Sequence, residues 1–284
     1  SSVFEEQRER CGVEYFDYYL LHSLTEESYR KPMVSRDGFE FVTRMKKEGK
    51  VRSFGFSFHD SAELLDQILT EHPATEFVQL QINYLDWNSP SVRSKECYEV
   101  AVKHKKPVIV MEPVKGGSLA AVPSQVEQML KDYRPNSSPA SWAIRFAASL
   151  ENVFMVLSGM STMEQLMDNT GFMKDFIPLN KKEHEILEKA EKLLNGSIAI
   201  PCTACRYCTD NCPKHIPIPD YFSLYNQYKQ SGQKDRLLEK YASLAEKGGK
   251  ASDCISCKQC QHHCPQHLLV ADYLKTVAGI FEEK

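Results

Sequence analysis

The seven residues "FVQLQIN" (Phe77–Asn83) decide the fold of the first part of the chain. Apolar residues alternate with amides along this stretch, which is typical of a β-strand whose two faces meet different surroundings. A central strand of an open parallel sheet is covered by helices on both faces and is a continuous apolar run. A strand with one polar face suits a closed barrel, in which alternate side chains point to the interior. The stretch therefore favours a (β/α)8 barrel.

Four other strand-like runs surround this one, and each is rich in β-branched or aromatic residues. They are Phe16–His22, Val51–Ser57, Val108–Glu112 and Val153–Ser158. Amphipathic helical patterns lie between the runs, so the sequence predicts βαβ units and a parallel sheet. No G-x-G-x-x-G motif follows any of the runs, which weakens the alternative of an open Rossmann-type sheet.

The number of units falls short of a complete barrel. A TIM barrel has eight strands, whereas this sequence shows about five βα units, so we predict an α/β barrel that is incomplete. The chain also opens on a helical pattern rather than on a strand. Open strand edges are a liability that proteins seldom leave exposed. We therefore expect that three further βα units precede Ser1 in a longer polypeptide; the alternatives are that another chain or a rearranged N-terminus covers the gap.

Capping residues place the starts of two helices in this part of the chain. Asp60 with Glu63 forms a capping-box pattern, and so does Ser161 with Glu164. Both pairs stand directly before apolar residues at helical spacing, so we predict that each helix begins at its pair.

The chain changes character near residue 195. A charged helical pattern is expected to stop at Gly196, and eight of the ten cysteines lie between Cys202 and Cys264. We predict a barrel domain over 1–195 and a cysteine-rich domain over 196–284. The N-terminal residues do not form a secretory signal, so we expect a cytoplasmic protein with reduced thiols. Clustered cysteines in such a chain indicate metal ligands rather than disulfides.

The clustered cysteines form two copies of one motif, C-x-x-C-x-x-C-x-x-x-C-P, at 202–213 and 254–265. In two-cluster ferredoxins with this motif, the fourth cysteine of each copy binds the other [4Fe–4S] cluster. We predict that cluster 1 is held by Cys202, Cys205, Cys208 and Cys264. We predict that cluster 2 is held by Cys254, Cys257, Cys260 and Cys212. Structural zinc sites, the main alternative, usually pair one C-x-x-C with a distant second pair and fit this spacing poorly.

The residues around the motifs indicate the type of ferredoxin. The linker between the motifs is long and is predicted to form two helices separated at Ser231-Gly232. A β-type ferredoxin joins its motifs with fewer residues, so the domain resembles the alpha-helical ferredoxin fold. The neighbouring histidines are expected to be solvated, because both clusters already have four thiolates. These histidines are His215, His262, His263 and His267.

Composition excludes two classes of partner. The formal net charge is −3, and 26% of the residues are charged, which is ordinary for a globular protein. The sequence has no basic excess for nucleic acid and no apolar run long enough for a membrane helix. We therefore expect neither nucleic acid nor membrane among the partners, and nothing in the sequence sets an oligomeric state.

Polar residues and glycines follow the predicted strands, at the barrel face where chemistry occurs. His22 ends the first strand, Ser57 ends the second, and Gln79 and Asn83 lie on the third. The glycine pair 116–117 follows the fourth, and "SGMSTMEQLMDN" (158–169) follows the fifth. In order and spacing these pieces, over roughly residues 3–175, resemble the last five βα units of the aldo/keto reductase family. With the trailing cysteine domain, the chain is similar to the bacterial branch that carries C-terminal ferredoxin modules.

The resemblance implies reduction of a small-molecule carbonyl substrate by hydride transfer from NADPH or NADH. It implies that His22 orients the substrate carbonyl, and that Ser57 and Gln79 hold the nicotinamide amide. Gln165 and Asn169 would contact the adenosine end. The residues implied to hold the pyrophosphate or the adenosine phosphate are Gly116, Gly117, Ser158 and Gly159.

The sequence departs from the family at three places, one of which is Phe58 after Ser57, where the family often has Asn. The family's proton-donating Tyr, its Lys and its Asp lie on the three units that this chain lacks, so no residue here takes those roles. Met160 stands where NADPH users often place Arg, which leaves NADPH and NADH both open. Apart from the family pattern, His22, Gln79 and Asn83 are also typical of buried polar residues satisfied by their neighbours. Lys115 is expected to be solvated rather than catalytic.

Two functions follow from these observations. The first is an iron–sulfur oxidoreductase that resembles NAD(P)H-dependent aldo/keto reductases and reduces a small carbonyl compound or passes electrons through two [4Fe–4S] clusters. The second is an electron-transfer module with a redox partner protein, in which the barrel is a catalytically incomplete scaffold or a truncated fragment. The absent Tyr, Lys and Asp leave open whether the chain is itself an enzyme.

Overall fold

The structure is a computed structural model that describes residues 2–31, 34, 36–231 and 233–282. The chain packs as two compact units. Unit 1 comprises Ser1–Pro113 and Ile144–Pro178, and unit 2 comprises Val114–Ala143 and Leu179–Lys284. Residues 114–143 and 179–195, which the sequence analysis placed in the barrel domain, thus pack with the cysteine-rich residues. The predicted division at residue 195 stays a prediction about sequence domains.

The described part of the chain alternates strands and helices up to residue 174 and is helical beyond it. The strands are β1 (Phe16–Leu24), β2 (Val51–Phe58), β3 (Phe77–Gln81), β4 (Val108–Met111) and β5 (Val153–Val156). The helices of the first part are α1 (Ser2–Cys11), α2 (Glu26–Tyr29), α3 (Asp37–Lys47), α4 (Ala62–Glu71), α5 (Ser94–Lys103), α6 (Ser124–Tyr133), α7 (Pro139–Ala148) and α8 (Met163–Lys174). The remaining helices are α9 (Lys181–Ser197), α10 (Tyr207–Asp210), α11 (Ile218–Ser231), α12 (Asp235–Lys247), α13 (Gln259–His262) and α14 (Val270–Phe281).

The sheet of unit 1 confirms the predicted parallel architecture. Its five strands are hydrogen-bonded in sequence order, β1-β2-β3-β4-β5, and each neighbouring pair is parallel. All five predicted runs form strands, although β3, β4 and β5 end one or two residues earlier than predicted. The core between the sheet and its helices includes Val42, Phe56, Leu65, Ile68 and Val78.

The sheet is strongly curved. The ring of Tyr18 on β1 lies 5.6 Å from the ring of Phe154 on β5, measured between centroids, although three strands separate them. Tyr18 also contacts the ring of Phe77 on β3 at 5.6 Å. Side chains of the first and last strands can meet only if the inner face of the sheet is concave, as in a segment of a barrel. The fold class predicted from the sequence is therefore confirmed.

One edge of unit 1 is unusually apolar. Helix α8, all of whose residues the structure describes, has no buried side chain. A helix packed on a barrel normally buries one apolar face. Large apolar side chains are exposed on β5, on α8 and between them, namely Phe154, Met155, Leu157, Met160, Met163, Leu166 and Met167.

The helix caps differ by one residue from the predicted pairs. Helix α4 is capped by Ser61, whose hydroxyl accepts from Leu64 N–H, and not by Asp60. Helix α8 is capped by Thr162 with Gln165 in a capping box, and not by Ser161 with Glu164. These two predictions were wrong because capping depends on the backbone angle of the residue before the first turn, which spacing alone does not fix.

Unit 2 is helical, and one apolar cluster forms the core of its cysteine-rich part. Its core residues lie on the helices that flank both cysteine motifs, and they include Ile216, Tyr221, Phe222, Tyr241 and Leu274. The two predicted linker helices are present as α11 and α12, and Gly232 between them lies outside the described residues. Helix α9 extends one residue past its predicted stop at Gly196. Among the helices that the structure describes, none has the length and apolar character needed to cross a membrane.

Candidate iron–sulfur and nucleotide sites

The predicted ligands of cluster 1 lie close enough to interact. The pKa of the Cys208 thiol is raised to about 12, chiefly by burial and also by the neighbouring Cys202, Cys205 and Cys264, while a hydrogen bond to Thr209 lowers it. Cys264 belongs to the second motif and the other three to the first. Cys264 of the second motif thus lies near three cysteines of the first, and the assignment of these four as ligands of one cluster stays a prediction.

The predicted ligands of cluster 2 form the reciprocal set. Burial raises the pKa of the Cys260 thiol to about 11, and Cys254, Cys257 and Cys212 add to that rise. Cys212, from the first motif, lines one small cavity together with the three cysteines of the second motif. Four thiols in one place are hard to ionise together, so a cationic iron–sulfur core is the group that suits them.

The two cysteine loops repeat the same backbone conformation. Each loop has three left-handed residues at equivalent positions, with φ between 50° and 66°. The equivalent pairs are Ala204 and Ser256, Arg206 and Lys258, and His215 and His267. Left-handed residues turn the chain sharply, which lets consecutive cysteines face one point. The match between the loops shows that one local fold is used twice.

One buried hydroxyl at cluster 1 lacks a protein partner. Thr203, which follows Cys202, is 6% exposed, and its Oγ1 makes no hydrogen bond to the described residues. Buried hydroxyls are nearly always hydrogen-bonded, so this donor fits a sulfur acceptor of a bound cluster. Among the residues described, no group of three or more His, Cys, Asp or Glu is arranged to hold a single metal ion. The four neighbouring histidines are exposed, as expected.

The turn after β4 packs against the loop of cluster 1. Lys115 is 2% exposed, and its Nζ donates a 3.1 Å hydrogen bond to Oε1 of Gln266. A Cβ placed on Gly116 would lie 2.1 Å from the carbonyl oxygen of Thr203. The expectation that Lys115 is solvated was therefore wrong. The close approach at Thr203 accounts for a glycine at 116, while the proposed phosphate contacts of Gly116 and Gly117 stay a prediction.

Lys115 also lines a cavity of unit 2. This cavity, of about 300 Å³, is bounded on one side by Lys115 and Gly116 and on another by Cys202 and Ala204. Lys115 thus shares one cavity with Cys202, a predicted ligand of cluster 1. A sequence search for ligands does not find Lys115, because its only motif signal is the glycine pair that follows it.

In unit 1, two predicted residues lie at the ends of β1 and β2. The Oγ of Ser57, which is 1% exposed, accepts a 2.7 Å hydrogen bond from the backbone N–H of Ser23. Ser23 adopts a left-handed conformation with φ 55° directly after His22. The side chain of His22 is exposed. Ser57 therefore fixes the backbone beside His22. Because its oxygen accepts this bond, its O–H group remains able to donate a hydrogen bond to another acceptor.

The amides on and just after β3 are engaged by neighbouring groups. Asn83 is fully buried; its Nδ2 donates to Asp86 at 2.8 Å and to the carbonyl of Glu112 at 3.1 Å. Gln81 donates to the same Asp86 carboxylate at 3.0 Å. Asn83 and Gln81 thus behave as satisfied core amides. Gln79 is partly exposed, and its Nε2 lies 3.4 Å from the sulfur of Met111.

The loop after β5 brings two predicted phosphate-end residues together. Asn169 Nδ2 donates to Ser158 Oγ at 3.2 Å. The space beside the Cα of Gly159 is open, with no described atom within 4 Å of a Cβ placed there. Gln165 is occupied at the start of α8, where its Oε1 accepts from the N–H groups of Ser161 and Thr162. Asn169 lies in the middle of α8, and its bond to Ser158 places the loop after β5 against this helix.

Comparisons with known proteins identify both parts of the chain. The profile of the Aldo/keto reductase family matches residues 2–192, and that of the 4Fe-4S dicluster domain matches residues 201–269. Aldo-keto reductase AKR11C1 from Bacillus halodurans, in its apo form, is 20% identical with a TM-score of 0.53 over 66% of each chain. An aldo/keto reductase from Brucella melitensis is also 20% identical, with a TM-score of 0.52 over 66% of each chain.

A third structure was solved with a nucleotide. It is an aldo-keto reductase from Klebsiella pneumoniae in complex with NADPH, 17% identical with a TM-score of 0.51 over 66% of this chain and 62% of that one. The chain therefore spans somewhat less than two thirds of the length of these reductases. No curated protein matches the chain. The structural likeness shows the barrel fold, and the two profiles show that the chain belongs to the aldo/keto reductase family and joins that family's oxidoreductase domain to a 4Fe-4S dicluster domain.

Proposed function

We propose that the chain carries single electrons through two [4Fe–4S] clusters with exchanged ligands. Cluster 1 would be held by Cys202, Cys205, Cys208 and Cys264, and cluster 2 by Cys254, Cys257, Cys260 and Cys212. The observation that carries this proposal is the cavity in which Cys212 joins the three cysteines of the other motif. Each bound cluster supplies one-electron chemistry.

The surrounding residues support this role. The left-handed residues of both loops hold the thiolates toward one point, and Thr203 can donate a hydrogen bond to a sulfur acceptor. Hydrogen bonds to sulfur, charge and solvent exposure set the potential of such a cluster. The apolar side chains of unit 2 keep water from the buried ligands Cys208 and Cys260.

The test is anaerobic reconstitution of the full chain with iron and sulfide. We expect about eight iron atoms per chain, a broad visible absorption, and bleaching of that absorption by dithionite. Binding of one or two zinc ions with no visible absorption would contradict the proposal. Alanine variants of Cys11 and Cys97, the two cysteines outside the motifs, should load normally and serve as controls.

A second candidate function, NAD(P)H-dependent carbonyl reduction, is favoured by the loop after β5. We propose that Ser158 and Gly159 receive a phosphate of NADPH or NADH, that Gln165 and Asn169 contact its adenosine end, and that His22, Ser57 and Gln79 face the nicotinamide and a small carbonyl substrate. The support is the Asn169–Ser158 hydrogen bond beside the open space at Gly159. The proton donor of the family is not among these residues.

Nucleotide binding and carbonyl reduction can be tested separately. Fluorescence titration with NADPH and NADH measures binding, and an aldehyde panel measures turnover. We expect N169A to weaken binding, while N152A, at an asparagine that bonds the carbonyl of Lys106 away from this loop, serves as the control. If neither NADPH nor NADH binds, the second candidate function is contradicted, and the proposal of electron transfer through the clusters is unaffected. A hydride carries two electrons and a cluster one, so the two activities are proposed as independent.

A further inference from the structure

The repeated motif allows the surroundings of the two clusters to be compared position by position. Aligning Cys202 with Cys254 pairs Thr203 with Ile255 and Arg206 with Lys258. Aligning the fourth cysteines, Cys212 and Cys264, pairs Lys214 with Gln266. Since the fourth cysteines are exchanged, Lys214, Ile255 and Lys258 surround cluster 2, and Gln266, Thr203 and Arg206 surround cluster 1. In each pair, the residue at cluster 2 is more exposed to solvent or leaves more positive charge without a carboxylate partner.

The first pair differs in burial. Thr203 is 6% exposed and is covered by the backbone of Gly116. Ile255 is 59% exposed, although it has the equivalent place beside the other cluster. Cys257 is also exposed, whereas its equivalent Cys205 is partly buried. An exposed isoleucine beside an exposed ligand leaves cluster 2 close to solvent.

The other two pairs differ in charge. At cluster 1, Arg206 is held by both oxygens of Asp220, at 3.0 and 2.9 Å, and Gln266 is buried and bonded to Lys115. At cluster 2, Lys214 and Lys258 are exposed, and neither makes an ion pair within the ranges that the structure describes. Asp272, the equivalent of Asp220, pairs with Lys275 on its own helix instead. The residues that line the cavity of cluster 2 include these two lysines and no carboxylate.

We propose that cluster 2 is the electron port of the chain and that Lys214, Ile255 and Lys258 dock an acidic one-electron carrier protein. Two ammonium groups that make no ion pair to the described residues, around an exposed apolar side chain, complement an acidic rim with an apolar centre. In the exchange, a reduced carrier gives one electron to oxidised cluster 2, the carrier is oxidised, and no bond or proton is transferred. Cluster 1 is then the inner member of the relay. This inference rests on the proposed cluster loading.

The experiment uses the full reconstituted chain and a plant-type [2Fe–2S] ferredoxin as the acidic probe. Stopped-flow mixing gives the second-order rate constant for electron transfer between the ferredoxin and the chain. Either partner can be the one reduced at the start, so the constant can be measured whichever partner has the higher potential. For the wild type we expect this constant to fall steeply with added salt, since opposite charges steer the encounter. In K214E/K258E we expect a fall of about tenfold at low salt and convergence with the wild type at high salt.

The control is K189E/K192E, which makes the same change in net charge at two exposed lysines of α9. It should leave the rate constant nearly unchanged. K214Q/K258Q, a milder pair, should give an intermediate rate. The proposal would be overturned if K189E/K192E lowered the rate constant as much as K214E/K258E does, or if the wild-type rate constant did not depend on salt. It would also be overturned if K214E/K258E lowered the rate of reduction by dithionite as much as the rate of reaction with ferredoxin. Cluster absorption is measured before mixing, so failure of cluster loading is distinguished from failure of docking.

Discussion

Lys115 and Gln266 are 151 residues apart in sequence and are joined by a 3.1 Å hydrogen bond between Nζ and Oε1. Both side chains are almost completely buried. Lys115 lies four residues after the end of β4, and Gln266 follows Cys264, a predicted ligand of cluster 1, by two residues. The contact therefore ties a strand-end turn to the surroundings of cluster 1.

Replacing Lys115 should change the potential of one cluster only. K115M removes a positive charge from buried surroundings of cluster 1, which disfavours the more negative, reduced form. We expect a lower midpoint potential, by about 59 mV for each tenfold change in a one-electron equilibrium, with cluster 2 unaffected. EPR-monitored redox titration measures the midpoint potentials of both clusters. Equal shifts of both clusters, or a shift to higher potential, would show that the lysine does not act on cluster 1.

Gly116 should tolerate substitution less well than its neighbour. Both Gly116 and Gly117 have positive φ, so alanine at either costs about 1–2 kcal/mol in backbone strain. Alanine at 116 also collides with the carbonyl oxygen of Thr203, whereas the space at 117 is open. Thermal unfolding and iron analysis should show that G116A destabilises unit 2 more and loads less iron. Equal losses in the two variants would mean that the Thr203 contact is unimportant.

Acid should destabilise unit 1 through His72. Its ring stacks on Phe39 at 3.6 Å and contacts the hydroxyl of Tyr29 at 2.9 Å, and burial lowers its pKa, partly offset by Glu71. Because the unfolded state then binds a proton more readily, stability falls as pH drops through the unfolded pKa of about 6.5.

The variant H72F keeps the ring and removes the titration. Denaturant unfolding of H72F should show a flatter dependence on pH between about 7.5 and 5.5 than the wild type. The pKa of Glu71 is lowered chiefly by the Tyr29 hydroxyl, so its contribution is lost only at lower pH and should persist in the variant. An unchanged pH dependence in H72F would exclude His72 as the cause.

The two cysteines outside the motifs should differ in reactivity. Cys11 is exposed, whereas Cys97 is buried, and burial raises the pKa of its thiol to about 12. Since the thiolate is the reactive form, iodoacetamide at pH 8 should label Cys11 and spare Cys97 in the loaded protein. Peptide mass spectrometry reads the sites, and the motif cysteines should become labelled only after the clusters are removed. Rapid labelling of Cys97 in folded protein would contradict the structure of α5.

The sequence predicted the features that depend on short-range pattern. Alternating amides in "FVQLQIN" and βα spacing were enough to predict a curved parallel sheet, and the cysteine spacing was enough to predict a 4Fe-4S dicluster domain. The caps at Ser61 and Thr162 were missed by one residue because backbone angles decide them. The burial of Lys115 was missed because its partner lies 151 residues away.

The predicted nucleotide residues illustrate the same limit. Ser158 and Asn169 are eleven residues apart on one loop and helix, and the structure brings them into contact. Asn83 was interpreted as a site residue or a core amide, and only its bonds to Asp86 and the carbonyl of Glu112 favour the second interpretation. Such hydrogen bonds depend on tertiary contacts that no local pattern encodes.

The most direct test of the account concerns the exchanged ligands, and it uses a chain that can form one cluster only. In the background C202A/C205A/C208A, cluster 1 is removed and cluster 2 should load with about four iron atoms. We predict that adding C212A lowers the iron content and alters the EPR signal of the reduced protein, while adding C264A leaves both unchanged. Loss of the cluster with C264A and its retention with C212A would contradict the exchange of ligands between the two motifs.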